Sequence, residues 1–217
     1  MDLMGCSKVG AWREALSSYQ ASLESLHKPE LLPLDDFYQN QLPLLLKQRD
    51  PEPYMSKPEL SKLMQWKLSR GKWRPRLQDF VSKLEETQVE SASRRAFGAL
   101  PDLSKAISEL TTLKGVGPAT ASAVLAAYAP DLGPFMSDEA MMAALGNKEY
   151  TLKQYLAFAR KLQKKAKELT EEGCPFTASD VERALWSFSV GRQGPQSPAS
   201  KNSKGTPRGG AKRKRNA

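Results

Sequence analysis

The chemically most informative residues of this chain form a short glycine-rich turn, Gly115-Val116-Gly117-Pro118, between two apolar segments. Both glycines permit a tight turn with positive φ and a close approach by another backbone. Pro118 suits the first turn of a following helix, where its missing N–H costs nothing. Free N–H groups of the turn and of the helix N-terminus attract an anion, and a DNA phosphate fits such a site. The predicted contact needs no basic side chain and reads no base sequence.

Helices are expected on both sides of this turn, so that residues 103–128 form a helix-hairpin-helix. The second helix is rich in small residues such as Ala121, Ser122 and Ala123, which let the two helices pack closely. We expect the phosphate to be contacted by a short set of residues at the turn. These are Gly115, Val116, Gly117, Ala119 and Thr120.

A second candidate surface is a basic run between residues 57 and 76, which holds seven Lys and Arg side chains and one acid, Glu59. Four of these cations fall within seven residues around Gly71, which is unusual for one helix face. We therefore expect nucleic-acid contacts from Arg70, Lys72, Arg74 and Arg76. Trp66 and Trp73 interleave with the cations. An aromatic ring there would stack on a base or wedge into a duplex, but burial in the core is the interpretation that we favour for both tryptophans.

The elements that must position these residues are predicted to be helices throughout. Apolar residues recur at spacings of three and four, and no strand-like alternation or internal repeat is present. Two capping-box patterns, Ser56 to Glu59 and Ser179 to Glu182, mark helix starts. Other predicted helices cover residues 12–26, 34–47 with a kink at Pro43, 103–113 and 151–169. The sequence therefore predicts an all-α helical domain over residues 1–190.

Residues 191–217 differ in composition from the rest of the chain, being rich in Gly, Pro, Ser and Lys and free of acidic residues. They carry +8 of the total formal charge of +9, so the remainder carries only +1. We expect a disordered basic tail, because it has too little apolar surface to offset the entropy of ordering. Its final cluster, Lys212-Arg213-Lys214-Arg215, is typical of a nuclear import signal. We therefore predict that the protein lies in the nucleus and that an import receptor is a partner. The alternative is that the tail only increases solubility.

The scarcity of Cys and His limits the possible cofactors. The chain has two cysteines, Cys6 and Cys174, and one histidine, His27. A four-cysteine iron–sulfur cluster is excluded, and a Cys/His zinc site would need more ligands. We expect no metal and no other cofactor. No stretch approaches the roughly 20 apolar residues of a membrane span, so no membrane partner is predicted, and a monomer is expected.

The hairpin also carries a family resemblance. From Leu110 onward the pattern Leu-x-x-Leu-x-Gly-Val-Gly-Pro-x-Thr-Ala resembles the helix-hairpin-helix of the DNA glycosylase superfamily. The likeness covers about residues 60–190 and extends weakly to Ala184-Leu185-Trp186. The chain also looks like the nuclear Amun-like branch. It implies a two-lobed helical domain of the DNA glycosylase type, plus the basic tail.

The resemblance also implies a catalytic residue. Members of that superfamily carry an aspartate a little over twenty residues past the first hairpin glycine, and Asp138 lies twenty-three residues after Gly115, at the end of Phe135-Met136-Ser137-Asp138. Its role would be to stabilise positive charge on the sugar or to orient the attacking water. The alternative is that Asp138, or Ser137, simply caps the following helix.

One departure from the superfamily bears on the reaction. Bifunctional members carry a lysine two residues after the second hairpin glycine, where this chain has Ala119, and Lys114 lies on the other side of the turn. We therefore expect no lyase step. The leading hypothesis is a nuclear protein that binds duplex DNA and acts as a monofunctional DNA N-glycosylase on a damaged or modified base. The alternative is a non-catalytic helix-hairpin-helix module that binds DNA or another protein.

Overall fold

The structure is a computed structural model that describes residues 2–173 and 175–193. Every regular element among these residues is helical, which confirms the predicted all-α class. The last helix continues to Gln193, three residues past the predicted boundary at 190. The remainder of the predicted tail, with Lys212, Arg213, Lys214 and Arg215, lies outside the described residues.

Twelve α-helices and one π-helical turn make up the described part of the chain. They are α1 (Val9–Ser17), α2 (Tyr19–Glu24), α3 (Leu31–Asp36), the π-helical turn (Phe37–Gln41), α4 (Leu42–Lys47), α5 (Lys57–Arg70), α6 (Pro75–Ser82), α7 (Glu86–Gly98), α8 (Leu103–Leu110), α9 (Pro118–Tyr128), α10 (Asp138–Leu145), α11 (Leu152–Glu171) and α12 (Ala178–Gln193). None of the described helices is long and apolar enough to span a membrane.

The first two predicted helices have different bounds in the structure. The predicted helix over residues 12–26 divides at Ser18 into α1 and α2. Pro33 lies in the first turn of α3, where its missing N–H removes no intrahelical bond. The kink expected at Pro43 takes the form of the π-helical turn directly before it, which relieves the clash of a proline ring with the preceding turn.

Side-chain capping bonds define where α5 and α12 begin. Ser56 and Glu59 form the predicted capping box at the start of α5. The box predicted at Ser179 to Glu182 is wrong, because the cap lies two residues earlier. There the Thr177 hydroxyl accepts from the Asp180 N–H at 3.0 Å, and an Asp180 carboxylate oxygen accepts from the Thr177 N–H at 2.8 Å.

The core is organised around α5 and α12. Helix α12 packs against α1, α2, α10 and α11, and α5 packs against α3, α6 and α9. Trp12, Trp66 and Trp186 are fully buried, which confirms the core position favoured for Trp66. Trp73 is 62 % exposed, so the same prediction was wrong for it. The reason is local, since α5 ends at Gly71 and Trp73 follows in the loop before α6.

Candidate functional site

The helical hairpin is formed by α8 and α9, which contact each other across the turn 111–117. Gly115 has φ +89°, and a Cβ built on it would lie 2.5 Å from the Cβ of Phe80 in α6. Both its backbone conformation and this contact therefore require glycine. Consequently the turn is held against α6.

The second hairpin glycine has a different role from the predicted one. Gly117 has φ −97° and ψ −179°, so the expectation of positive φ is wrong there. It is the N-cap of α9, a position that ordinarily takes extended backbone. A Cβ on Gly117 would meet nothing within 4 Å. The backbone at this position is therefore open to the approach of a ligand.

Some backbone N–H groups of the turn donate to backbone carbonyls, and others do not. The Val116 N–H donates to the Leu113 carbonyl at 3.0 Å, and the Thr120 N–H donates to the Gly117 carbonyl at 2.9 Å. Within the described part of the chain, no backbone carbonyl accepts from the N–H of Gly117 or Ala119. The side chains of Val116 and Thr120 are also buried. The N–H groups of Val116 and Thr120 are therefore engaged within the hairpin, whereas those of Gly115, Gly117 and Ala119 have no backbone acceptor among the described residues.

A cavity of about 420 Å³ lies beside this turn and brings together segments distant in sequence. Its walls come from the hairpin, from the end of α5 and the loop after it, from the start of α10, and from α12. Among its lining residues are Lys67, Gly117, Asp138, Tyr150 and Trp186. The size suits a small organic ligand. The hairpin, the basic run and Asp138, which are separate features of the sequence, thus share one cavity.

The four predicted cations of the basic run fall into different environments. Arg70 is only 5 % exposed and pairs with Glu182 at 3.2 Å. The Arg70 guanidinium is therefore engaged in a buried ion pair beside the cavity that it helps to line, and the nucleic-acid contact expected of it stays a prediction. Lys72 and Arg74 are exposed and line the cavity, whereas Arg76 is exposed on α6 and is not among the lining residues.

Buried polar side chains hold the cavity wall together. The Ser137 hydroxyl donates to Glu182, which also accepts from Arg70. Burial raises the pKa of the Glu182 carboxyl, while the Arg70 charge and the Ser137 hydrogen bond oppose that rise. The Arg70 guanidinium lies 4.3 Å from the Trp186 ring centroid. These contacts link the end of α5 and the residue before α10 to α12.

Asp138 is the first residue of α10, and its side chain is 31 % exposed. Ser137 occupies the N-cap position, but neither residue makes a side-chain capping bond, so the capping alternative is wrong for Asp138. The carboxylate instead accepts from Lys148 Nζ at 3.1 Å and from the Tyr150 hydroxyl. Burial and this hydrogen bond raise the pKa of Tyr150 to about 12. The phenol therefore remains a donor at neutral pH.

Lys148 and Tyr150 were not identified from the sequence. They follow α10 in the loop that leads to α11, which turns back after Gly146, a residue with φ +74°. A glycine followed by an isolated aromatic is a weak signal for a returning loop. Arg74 also lies over the Tyr150 ring, at 5.6 Å from its centroid, so the ring connects the basic loop to the carboxylate.

Lys67 is the other side chain that sequence reasoning missed. It lies one turn before the end of α5, is half-buried and lines the cavity. Burial, followed by the charge of Arg74, lowers the pKa of its amine to about 8, and Asp138 partly opposes this. No hydrogen bond or ion pair from the Lys67 amine to any described residue is present. In the sequence it is simply one cation of the basic run, with nothing to set it apart.

Within residues 2–173 and 175–193, no three His, Cys, Asp or Glu side chains gather so as to hold a metal ion. Comparisons with protein-family models, with curated proteins and with solved structures each give no match for this chain. The resemblance to the glycosylase superfamily therefore stays a prediction from the sequence. A function has to be inferred from the geometry of the cavity and the residues that line it.

Proposed function

We propose that the protein binds duplex DNA and hydrolyses the N-glycosidic bond of a damaged or modified base, within a two-lobed helical domain of the DNA glycosylase type. The observation that carries this proposal is that one cavity has the open hairpin backbone on one wall and Asp138 on another. An anion-binding turn beside a hydrogen-bonded carboxylate suits a substrate in which a phosphate adjoins a reacting sugar.

The hairpin supplies the anchoring contact in this proposal. The free N–H groups of Gly117 and Ala119, at the N-terminus of α9, bind one phosphate. Lys72 and Arg74 contribute charge beside the cavity and bind the neighbouring backbone. These contacts position the duplex without reading its sequence.

The cavity receives the target nucleotide after it leaves the base stack, which costs a few kcal/mol and less for a damaged base. Asp138 then acts on the sugar. A water oxygen bonds to C1′ while the bond from C1′ to the base nitrogen breaks, and the leaving base takes the electron pair. Either Asp138 accepts the water proton and passes it to the leaving base, or the carboxylate stabilises the positive charge on the sugar and the base takes the proton directly. Tyr150 fixes the carboxylate in place through its hydrogen bond.

A non-catalytic DNA-binding module is the second candidate, and one observation favours it. Lys148 lies 3.1 Å from the Asp138 carboxylate, so an ammonium group already balances its charge. A neutralised carboxylate is a weaker stabiliser of a cationic transition state. In that case the hairpin and the two exposed cations would bind DNA, and the cavity would hold a base without cleaving it.

Nuclear localisation forms part of the same proposal and depends on residues outside the described ones. The cluster Lys212-Arg213-Lys214-Arg215 is expected to bind an import receptor. Replacing all four with glutamine in a fluorescently labelled full chain tests this. Loss of nuclear accumulation is expected, and an unchanged distribution would exclude the cluster as the import signal.

The activity is tested with the full chain on matched duplexes that are undamaged, carry an alkylated or deaminated base, or carry a tetrahydrofuran abasic analogue. Binding is followed by fluorescence anisotropy and base release by mass spectrometry. Asp138→Asn is compared with Asp131→Asn, which alters an exposed carboxylate outside the cavity lining. Base release that Asp138→Asn abolishes with binding intact supports the glycosylase. Binding without any release supports the non-catalytic module, and no binding overturns both.

A further inference from the structure

A second cavity, of about 310 Å³, lies at the opposite end of α9 from the hairpin turn. Its walls come from the π-helical turn, α4, the end of α9 with the loop after it, and the start of α12. Turns of the π type often occur at functional sites. Among the described residues, only Phe135 lines both this cavity and the one beside the hairpin. The second cavity is therefore a separate place in the fold, and its volume suits a small organic molecule.

Two side chains of α12 that line this cavity each carry a polar atom with no hydrogen-bond partner among the described residues. These atoms are the Ser179 hydroxyl oxygen and the Arg183 Nε, and both are buried. Leaving a buried polar atom unpaired is costly, and nearly all such atoms in proteins have a partner. Both groups donate hydrogen bonds. A ligand that satisfies them must therefore present an acceptor.

The charges around the cavity favour an anion as that ligand. The carboxylate of Asp180 pairs with Arg183, and the carboxylate of Glu182 pairs with Arg70 at 3.2 Å. Lys47, the last residue of α4, also lines the cavity, is exposed and has no ion pair with any described residue. Each of the two pairs is neutral as a unit, so the uncompensated charge at the cavity is the positive charge of Lys47. The N-terminal end of α12 adds to this preference for negative charge.

The remaining wall of the cavity is apolar and determines which kind of anion fits. It is formed by Pro43, Ala126, Ala127, Pro130 and Phe135. An inorganic anion would leave this surface in contact with water. An organic acid covers it with its apolar part while its carboxylate accepts from the donors.

We propose that the second cavity binds a small organic acid. Its carboxylate is held by Ser179, Arg183 and Lys47, and its apolar part lies against the end of α9. A rotation about the Cα–Cβ bond of Ser179 and a small movement of the Arg183 side chain, which is 32 % exposed, bring the two buried donors to the carboxylate. None of these contacts involves Asp138 or the hairpin, so the site is independent of the proposed action on DNA.

The test uses the full chain, isotopically labelled for NMR, with benzoate as the probe. Benzamide has the same shape without the charge, and inorganic phosphate has the charge without the apolar ring. We expect benzoate to shift the amide resonances of Ala126 and Ala127 at the second cavity and not those of Gly117 and Ala119 at the hairpin. Benzamide and phosphate should each bind about tenfold more weakly than benzoate, or weaker still.

Two variants remove one proposed contact each. In Ser179→Ala and in Lys47→Met, we expect the affinity for benzoate to fall about threefold or more. Ser82→Ala and Lys153→Met alter exposed residues outside the cavity lining and should bind benzoate as the unaltered chain does. Ser179→Ala should also keep the unfolding temperature of the unaltered chain, because its hydroxyl has no partner to lose. Weaker binding by this variant is therefore not a consequence of unfolding.

Three results would overturn the proposal. The absence of any shift with benzoate, or benzamide binding as tightly as benzoate, would exclude an anion site. Phosphate binding as tightly as benzoate would exclude an organic acid as the preferred ligand. Shifts at the hairpin amides that disappear in Lys72→Met and persist in Lys47→Met would place benzoate in the cavity beside the hairpin instead.

Discussion

Gly115 lies against Phe80 so closely that a Cβ on the glycine would be 2.5 Å from the Cβ of the phenylalanine. The glycine also has φ +89°, which an alanine adopts only at a cost. We therefore expect Gly115→Ala to lower the free energy of unfolding by more than about 2 kcal/mol. Gly117→Ala is the matched control, since no atom lies within 4 Å of its Cβ, and as a replacement at the N-cap of α9 it should cost no more than about 1 kcal/mol. Urea unfolding monitored by circular dichroism measures both, and equal losses would contradict this account of the turn.

Because Gly117 has open space around it, this position allows a test of the anion site without disturbing the fold. Gly117→Glu adds a carboxylate beside the free N–H groups of Gly117 and Ala119, where it competes with a phosphate and repels it. We expect DNA affinity to fall by about tenfold or more. Gly98→Glu makes the same change at another glycine with no atom within 4 Å of its Cβ, at the end of α7. If the two variants lose affinity equally, the hairpin is not the phosphate contact.

The buried pair between Arg70 and Glu182 should be among the most sensitive points of the fold. Glu182→Gln leaves the Arg70 cation in the core without its counter-ion, which is expected to cost on the order of 3 kcal/mol of unfolding free energy. Glu168→Gln removes a surface carboxylate that pairs with Lys165 at 2.7 Å and should cost less than about 1 kcal/mol. Thermal unfolding compares the two. A small effect at Glu182 would mean that the Arg70 guanidinium is solvated in the variant.

Periodicity and capping residues predicted where most of the helices form, because both are local, but they did not predict the division at Ser18. The Ser56 to Glu59 box, the hairpin and the glycine at 115 follow from residues within a few positions of each other. Trp66 was correctly assigned to the core on the same basis. The start of a helix was ambiguous where two possible N-cap residues lie close together in the sequence, as Thr177 and Ser179 do.

The environments of the charged residues could not be predicted in this way. In the sequence, nothing distinguishes Arg70 from its exposed neighbours Lys72 and Arg74. It is nevertheless buried, and it pairs with Glu182, which is 112 residues away. Lys67 has no local feature that distinguishes it from Lys62. Its pKa depends on Arg74 and on burial against other helices, which are tertiary properties.

The hydrogen bond from the Tyr150 phenol to Asp138 predicts a positioning role for the tyrosine. Tyr150→Phe removes a neutral donor to a charged acceptor, which is worth about 1.5–3 kcal/mol. If Asp138 acts in base release, the rate should fall about ten- to a hundredfold with little loss of DNA affinity. Tyr128→Phe alters a tyrosine that stacks on Phe97 and does not line the cavity, and it should leave the rate unchanged. Equal rates for both variants would show that the hydrogen bond plays no part in the reaction.

The lowered pKa of Lys67 implies that the folded protein is destabilised by protonating this amine. Its pKa falls from the ordinary 10.5 to about 8 in the folded state, so the unfolded chain binds the proton more tightly. The cost is therefore fully present below about pH 8 and disappears as the pH rises toward 10.5. Lys67→Met keeps the side-chain length and removes the charge, and we expect it to be more stable than the unaltered chain by on the order of 1–3 kcal/mol at pH 7. Denaturant unfolding at pH 7 and pH 10 measures this, with Lys153→Met as the control at an exposed position. The advantage of Lys67→Met should shrink between the two pH values; an advantage that is absent at pH 7, or that grows with pH, would mean that the amine is solvated and keeps its ordinary pKa.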